Sequence, residues 1–350
     1  KRKVRWHPDF FTTVAGSNSQ GRDLKRHRFG KVAVMLATFN GQRFLSEQLD
    51  SLAGQDHPSI DVWLSDDSSS DDTLAIARQA AKGWSKGSFE IIQRNVAPIA
   101  AGTNGIDLEQ ALARSNGNFL SLMLNGSINA EYYAFCDQDD VWESSKLTRA
   151  VAWLEQQPEG VPAMHCSRTR IIDEAGRLHG LSILFSKTPG FRNAIIQNIA
   201  AGNTIVMNRA AMLELRKHTF AGQFVSHDWW VYILVTALGG KVKYDQEPLT
   251  RYRQHGANLV GENASWRARM VRFKLVLTGR FRQWNDVNLA ALRKISHLLP
   301  AENRQILDEF CALRQGASLL RPLRILRTGI FRQTFAGQLS FLAASLMGKI

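Results

Sequence analysis

The sequence predicts an α/β fold, in which a mostly parallel sheet is flanked by helices and followed by an α-helical C-terminal region. Two continuous apolar runs, Val32–Ala37 and Ile60–Leu64, each lead into a segment with helical periodicity. Strands and helices that alternate in this way form parallel sheets buried on both faces. The last part of the chain has apolar residues at helical spacing. We therefore expect an α/β domain over residues 31–261 and a helical region over residues 262–350.

Residues 1–30 precede the first predicted strand and begin with Lys-Arg-Lys-Val-Arg. They are polar, contain turn-forming residues and have no usable period, so we interpret them as a basic, loosely ordered tail. The alternative is a localisation signal or a nucleic-acid patch.

The net charge of +13 is distributed unevenly. Residues 262–350 contain 15 Lys and Arg but 5 Asp and Glu, whereas residues 32–261 contain 20 and 24. Basic ends around an acidic middle indicate attachment to an anionic membrane surface rather than a groove for duplex nucleic acid. The sequence has no zinc-finger or RNA-recognition signature, so we expect no nucleic-acid partner.

The three cysteines, Cys136, Cys166 and Cys311, are far apart and lack Cys-x-x-Cys spacing. This pattern predicts neither a disulfide framework nor a zinc site, and it fits a reducing compartment. No stretch has 18 consecutive apolar residues, and the start lacks the apolar core of a secretory signal. We therefore expect a cytoplasmic protein attached peripherally to the inner face of the cell membrane.

Polar residues follow the predicted strands at their carboxyl ends. Thr38 and Asn40 follow the first strand, and Asp66 and Asp67 follow the second. Ligands of parallel sheets bind in the crevice at these ends. The sequence therefore predicts a ligand site at this edge.

A third strand end supplies three carboxylates together. The run Tyr132–Cys136 predicts a buried strand, and Asp137, Asp139 and Asp140 follow it. Hard divalent ions take oxygen ligands and leave positions for substrate phosphates, so this pattern predicts a Mg²⁺ or Mn²⁺ site. The alternative is an acidic turn before a helix that starts near Ser144.

The remaining elements of the α/β region are less distinctive, and residues 96–116 have no interpretable pattern. We predict strands at Glu90–Gln93, Ala163–Arg168 and Arg170–Asp173, a helical segment at Phe119–Leu124, and helices containing Leu45, Leu49 and Leu52 and containing Leu147, Val151 and Leu154.

Two further motifs are candidates for substrate binding. The small residues around Gly202 and Asn203 would let a ligand approach the backbone, although a tight turn explains them equally well. His227-Asp228-Trp229-Trp230 opens a long apolar helix. Polar groups beside tryptophans suit a sugar-sized pocket, whereas the helix dipole and the core explain them without a ligand.

The segment from Tyr252 to Asn258 reads as a polar loop with Arg253 and His255, preceded by Arg251. Arginine forks match phosphate oxygens, and a neutral imidazole can bind a metal. This loop is therefore a second candidate for diphosphate and metal binding.

The C-terminal region begins with an aromatic stripe at helical spacing, flanked by basic residues. Its members are Trp266, Met270, Phe273, Leu277, Phe281 and Trp284. This pattern is typical of helices at membrane interfaces, and it also suits a helix that packs on the preceding domain. The segment Leu319–Met347 is more apolar, but four arginines argue against a spanning helix, so it could lie along a bilayer.

Taken together, the motifs resemble the family 2 glycosyltransferases of the GT-A fold, and specifically their rhamnosyltransferase-like members that build bacterial surface polysaccharides. The matching stretches occur in the family's order; they are Val34–Gly41, Leu64–Thr73, Phe135–Trp142, His227–Trp230 and Tyr252–Gly261.

The resemblance implies a role for each candidate residue. Thr38, Asn40, Asp66 and Asp67 would hold the base and ribose of a nucleotide-diphosphate sugar. The metal and diphosphate would be held by Asp137, Asp139, Arg253 and His255, and the acceptor by Gly202, Asn203, His227, Trp229 and Trp230. Asp228 would be the catalytic base.

A single carboxylate base with no second carboxylate nucleophile implies single displacement with inversion at the anomeric carbon. The acceptor would be a saccharide or a lipid-linked saccharide. A sugar-phosphate nucleotidyltransferase is the first alternative, but it would carry a Gly-rich phosphate loop where this chain has Thr38–Gly41. A non-catalytic sugar- or membrane-binding protein is the second.

Overall fold

The structure, a computed structural model, describes residues 29–95, 108–219, 224–256, 279–316 and 318–350. Several of the predictions above lie outside these ranges. They concern the basic tail up to residue 28, residues 96–107, the end of the polar loop from Ala257 onward, and the aromatic stripe from Trp266 to Leu277.

The described strands form one nine-stranded sheet. They are β1 (Val32–Thr38), β2 (Ile60–Asp66), β3 (Phe89–Gln93), β4 (Tyr132–Asp137), β5 (Val141–Trp142), β6 (Ala163–Ile172), β7 (Leu178–Leu181), β8 (Val206–Asn208) and β9 (Lys241–Arg253). Their order is β3-β2-β1-β4-β8-β6-β9-β5, and β7 pairs with β6. Strands β3, β2, β1 and β4 are parallel, and β8 is antiparallel to β4 and β6. The predicted mostly parallel α/β sheet is confirmed.

Helices cover the sheet and continue beyond it. They are α1 (Leu45–Ala53), α2 (Thr73–Gly83), α3 (Leu108–Leu124), α4 (Lys146–Leu154), α5 (Phe191–Ala194), α6 (Arg209–His218), α7 (His227–Ala237), α8 (Arg280–Lys294), α9 (Ala301–Gln315), α10 (Arg321–Thr328) and α11 (Phe335–Leu346).

The two faces of the sheet explain the continuous apolar runs in the sequence. In β1, Val32 and Val34 contact one core, which contains α1, α2 and α4. The alternate residues Ala33 and Met35 contact the other core, which contains α3, α7 and the C-terminal helices. Both faces therefore require apolar side chains, and polar residues occur only where the strand ends.

Strands β6 and β9 differ from the sequence interpretation. Residues 163–172 form one strand, not two, and Tyr252 and Arg253 end the 13-residue strand β9 instead of belonging to a loop. The two strands pair in parallel with a register shift between Ser167 and Thr169. This irregularity interrupts the alternation from which strands are recognised in a sequence.

The C-terminal helices pack on the α/β region. Leu292 of α8, Phe310 of α9 and Phe341 of α11 are buried in the same core as α7. In α8, Phe281 of the aromatic stripe is also buried there, with Trp284 packed against it. The predicted helical C-terminal region is confirmed, and none of the described helices is long and apolar enough to cross a membrane.

Candidate active site

The ends of β1 and β2 form the first part of the site. Thr38 pairs with Asp66 in the sheet register, and its Oγ1 donates to Asp66 Oδ1 at 2.9 Å. Ser69 donates to both oxygens of the same carboxylate, from its backbone nitrogen at 2.8 Å and its hydroxyl at 2.6 Å. The loop that follows β2 is thereby fastened to the end of β1. Asp66 Oδ2 keeps acceptor capacity for a ligand.

Asn40 and Asp67 are also held by neighbouring groups. Asn40 has a φ of 46° and accepts a hydrogen bond from the backbone of Ser70 at 2.9 Å. Asp67 is buried and forms ion pairs with Arg94, at 2.8 Å, and with Arg114. The Arg114 guanidinium also lies over the Phe39 ring, 3.7 Å from its centroid. The ion pair between Asp67 and Arg114 therefore joins this loop to α3.

The end of β4 concentrates negative charge. Burial raises the pKa of Asp137 well above its usual range, and the carboxylates of Asp140, Asp139 and Asp228 raise it further. Burial and Asp139 likewise raise the pKa of Asp140 to about 7. The structure thus brings the acidic turn and the His-Asp motif, which are far apart in sequence, into one site.

This donor set fits a hard divalent cation. Burial and neighbouring carboxylates raise the pKa values of Asp137 and Asp140, and oxygen ligands are those that Mg²⁺ and Mn²⁺ prefer. Asp139 Oδ2 lies 2.7 Å from His255 Nε2, so two of the predicted ligands are adjacent. Within the described ranges, no three His, Cys, Asp or Glu side chains are already arranged as a metal-holding group.

Arg253 supports the acidic turn from the end of β9. Its side chain is buried, and its Nε donates to the Asp139 carbonyl at 2.9 Å. Its guanidinium also pairs with Glu47 and donates to the Glu174 carbonyl at 3.1 Å. The sequence interpretation placed this guanidinium near the diphosphate, but the structure directs it to protein groups.

Asp140 and Lys146 connect the acidic turn to the loop of small residues. Asp140 is fully buried and accepts hydrogen bonds from Asn203 Nδ2 at 2.5 Å and from the Arg253 backbone at 3.1 Å. Lys146 is also buried, donates to the Asn203 carbonyl, and lies 3.4 Å from the centroid of the Trp142 ring. Burial lowers the pKa of Lys146 to about 7, and Cys136 and Asp140 oppose this shift. The carbonyl and the ring favour the ammonium form.

The first turn of α7 presents Asp228. Its Oδ2 accepts from Asn198 Nδ2 at 2.8 Å, and its Oδ1 accepts from the Trp229 backbone at 2.7 Å. Unlike Asp140, this carboxylate is only partly buried. It is therefore oriented by two donors while it remains accessible.

Asn116 fixes the tautomer of His227. The Asn116 Nδ2 donates to the Val225 carbonyl at 2.9 Å, so its Oδ1 must face His227. That oxygen accepts from the His227 backbone at 3.0 Å and contacts Nδ1 at 3.2 Å, which places the ring proton on Nδ1. Burial lowers the His227 pKa, so the ring is neutral at pH 7. Its Nε2 is buried and has no hydrogen-bond partner among the described residues.

Gly202 lies directly over this histidine. A Cβ atom at Gly202 would be 2.8 Å from His227 Nε2 and 3.6 Å from Asp228 Cβ. The two tryptophans that follow are core residues. The Trp229 indole nitrogen donates to the Ala194 carbonyl at 2.8 Å, and Trp230 stacks with Phe224. The structure therefore places Gly202 beside His227 and Asp228, and it buries both tryptophans in the core.

We expect Gly202→Ala to lower the free energy of unfolding by about 1–3 kcal/mol, the usual range for overpacking. The His227 ring cannot move aside easily, because it is stacked on Phe119 at 4.0 Å and bonded to Asn116. Urea unfolding would measure the change, with Gly180→Ala as the control, since a Cβ there meets nothing within 4 Å. Equal stability of the two variants would contradict the close approach.

Comparison with known proteins identifies the family. The sequence profile of glycosyl transferase family 2 matches residues 33–216, which is more than half of the chain. The chain belongs to this family. The match begins in β1 and ends in α6, so it includes the ends of β1, β2 and β4.

Curated relatives of this family 2 glycosyltransferase include two that align over most of its length. It is 26% identical over 260 residues to dTDP-rhamnosyl transferase RfbG of Shigella flexneri, covering 71% of this chain and 81% of RfbG. It is 27% identical over 236 residues to the uncharacterized glycosyltransferase alr2836 of Nostoc sp., covering 65% and 66%.

Solved structures also align with most of this chain. The S. aureus TarS 1–349 complex with UDP gives a TM-score of 0.48 at 15% identity, covering 91% of this chain and 90% of that chain. Mannosyltransferase PcManGT from Pyrobaculum calidifontis, in complex with GDP-Man and Mn²⁺, gives 0.46 at 16% identity, covering 92% and 86%.

Sequence reasoning missed four residues that hold the candidate site together: Arg94, Arg114, Asn116 and Lys146. Only Lys146 left a usable signal. It stands four residues before Ala150 and eight before Leu154, so it shares the buried stripe of α4. A lysine at such a position must find a partner inside the protein.

Proposed function

We propose that this protein is a metal-dependent, inverting hexosyltransferase that moves rhamnose from a nucleotide-diphosphate donor to a saccharide or lipid-linked acceptor in bacterial surface polysaccharide synthesis. The observation that carries this proposal is the convergence of the acidic turn at Asp137 with the partly buried but accessible Asp228. The similarity to RfbG, which is described as a dTDP-rhamnosyl transferase, supports rhamnose as the sugar.

The donor would extend from the ends of β1 and β2 to the end of β4. Thr38, Asn40, Asp66 and Asp67 would hold the base and ribose, and the free acceptor capacity of Asp66 Oδ2 suits a ribose hydroxyl. Next to them, Asp137, Asp139 and His255 would hold Mg²⁺ or Mn²⁺. When bound, that ion would offset the charge of the diphosphate leaving group.

Asp228 would act as the base at the other side of the reacting carbon. The acceptor hydroxyl gives its proton to the carboxylate while its oxygen attacks the anomeric carbon, and the nucleoside diphosphate leaves with the bonding electrons. His227 is less suitable, because its Nδ1 proton faces Asn116 and Gly202 covers its Nε2. Gly202 and Asn203 would lie beside the acceptor. Attack opposite the leaving group inverts the anomeric configuration.

Arg253 has a positioning role in this scheme. Its side chain holds the Asp139 carbonyl, and its backbone N–H holds Asp140. The acidic turn therefore keeps its shape without a bound donor, which lowers the cost of ordering the site when the donor binds.

A panel of nucleotide sugars with Mg²⁺ or Mn²⁺ tests the proposed function. We expect slow release of a nucleoside diphosphate from the correct donor, and faster release with acceptor. Release of pyrophosphate from a sugar phosphate and a nucleoside triphosphate would instead identify a nucleotidyltransferase. Binding of a sugar without release of any product would identify a non-catalytic protein.

We expect Asp139→Asn to weaken metal-dependent donor binding at least about tenfold, or ~1.4 kcal/mol. The amide keeps the shape of the side chain beside His255 but loses the charge that a divalent ion requires. Calorimetry with and without Mg²⁺ measures the loss, and Asp50→Asn on the exposed surface of α1 is the matched control. An unchanged affinity in the folded variant would remove Asp139 from the metal site.

The same proposal includes peripheral attachment of the C-terminal region to the anionic inner face of the cell membrane. Residues 262–350 carry 15 Lys and Arg against 5 Asp and Glu. Each basic residue near such a surface contributes about 1 kcal/mol at low salt. Attachment would keep the active site near a lipid-linked acceptor.

A further inference from the structure

Helix α11 is apolar on two sides. It contains no charged residue, and its inner side buries Phe341 and Ala344 in the core. Its outer side exposes Phe335, Leu339 and Leu346, at 78%, 51% and 46%. These three lie at positions i, i+4 and i+11, which form one stripe of a helix. An apolar helix stripe is ordinarily packed against other parts of the protein, but the outer stripe of α11 is exposed.

A second apolar stripe lies next to it. Leu319, Leu323 and Leu326 are spaced at i, i+4 and i+7 and are 82%, 49% and 61% exposed. Helix α10, which carries two of them, packs against α11. We call the six residues of the two stripes the outer apolar surface. Soluble monomers rarely expose so many large apolar side chains together, and such surfaces indicate binding to a protein or a membrane.

The charge around this surface distinguishes between those partners. Residues 318–350 contain four arginines and one lysine but no Asp or Glu. Arg324 and Arg327 are exposed on α10, each directly after a leucine of the outer apolar surface. Arginine can bury its aliphatic part at an apolar boundary while its guanidinium reaches the phosphate layer. A second copy of this chain would bring the same positive charge and be repelled.

We propose that the outer apolar surface and its arginines dock on an anionic lipid bilayer, with α10 and α11 lying in the plane of the interface. This inference rests on the proposed function, because it gives the attachment of the C-terminal region a defined contact surface. Amphipathic helices with leucine and phenylalanine on one face and arginine beside it bind membranes in this way.

Vesicle flotation of the full chain tests the docking surface. We expect flotation with vesicles of phosphatidylethanolamine and phosphatidylglycerol, and several-fold less with pure phosphatidylcholine. The double variant Leu323→Gln/Leu326→Gln should float at least about fivefold less at any salt concentration. Arg324→Gln/Arg327→Gln should lose binding mainly at low salt. The controls are Leu213→Gln and Arg78→Gln, which change exposed residues of α6 and α2.

Two outcomes would overturn the inference. One is wild-type flotation by the double leucine variant, in protein whose unfolding by urea shows a normal fold. The other is a wild-type dimer that becomes monomeric in this variant without any vesicle binding, since the surface would then join two copies. Metal-dependent nucleotide release in vesicle-free solution is measured separately. Its absence in the wild type would contradict the proposed transferase and leave the flotation result in place.

Discussion

Asp228→Asn should lose most of its transfer activity, by about 10²–10⁴ in turnover number, while donor affinity remains nearly unchanged. The amide cannot accept the proton of the acceptor hydroxyl. It also cannot satisfy both present donors, because Asn198 and the Trp229 backbone each need an oxygen. The fold should therefore survive with a loss of about 0.5–1.5 kcal/mol.

Steady-state assays with the same donor and acceptor would measure the effect, and His227→Gln is the matched comparison. We expect His227→Gln to be less damaging to turnover, because its Nε2 is covered by Gly202. The assignment is reversed if Asp228→Asn keeps more than about a tenth of the wild-type turnover while His227→Gln loses nearly all of it.

Lys146→Met should lower the free energy of unfolding by about 1–3 kcal/mol, the range expected when a buried polar group is left without its hydrogen-bond partner. Methionine fills a similar volume, so the loss comes from charge and hydrogen bonding. The Asn203 carbonyl would lose the donated hydrogen bond, and Asp140 and Asp137 would lose a cation that lowers their pKa values.

Urea unfolding at neutral pH would measure this loss. Lys82→Met makes the same substitution on the exposed surface of α2 and should change stability by less than about 0.5 kcal/mol. Addition of Mg²⁺ with a nucleoside diphosphate should recover part of the stability, because a bound cation also compensates the carboxylates. A Lys146→Met protein as stable as Lys82→Met would show that the carboxylates do not need this ammonium.

The parallel strands could be predicted from the sequence because side chains on both of their faces pack into apolar cores. In β1 every residue before the last is apolar and faces one of the two cores, so both the strand and its end can be recognised in the sequence. Strand β9 gave no such signal. It contains Asp245, Glu247 and Pro248, and its partner β6 is distant in the chain and pairs with a shifted register.

For the candidate site, too, some features could be predicted from the sequence and others could not. The motifs predicted that Asp137 follows a buried strand and that Asp228 opens a helix, and the structure places them at the end of β4 and in the first turn of α7. The direction of a long side chain depends on tertiary contacts that no spacing records. Arg253 thus turned to Glu47 and backbone carbonyls, and Trp229 and Trp230 turned to the core.

Within one turn, helix α3 contacts both the proposed donor region and the residue next to the proposed base. Arg114 binds Asp67 beside the donor region, and Asn116 binds His227 beside the proposed base. Consecutive residues of a helix differ by about 100° in direction, so inserting or deleting one residue between these two would rotate one contact away from its partner. Helix α3 therefore fixes the distance between the proposed donor region and the proposed acceptor region, so a shift of one region would also shift the other.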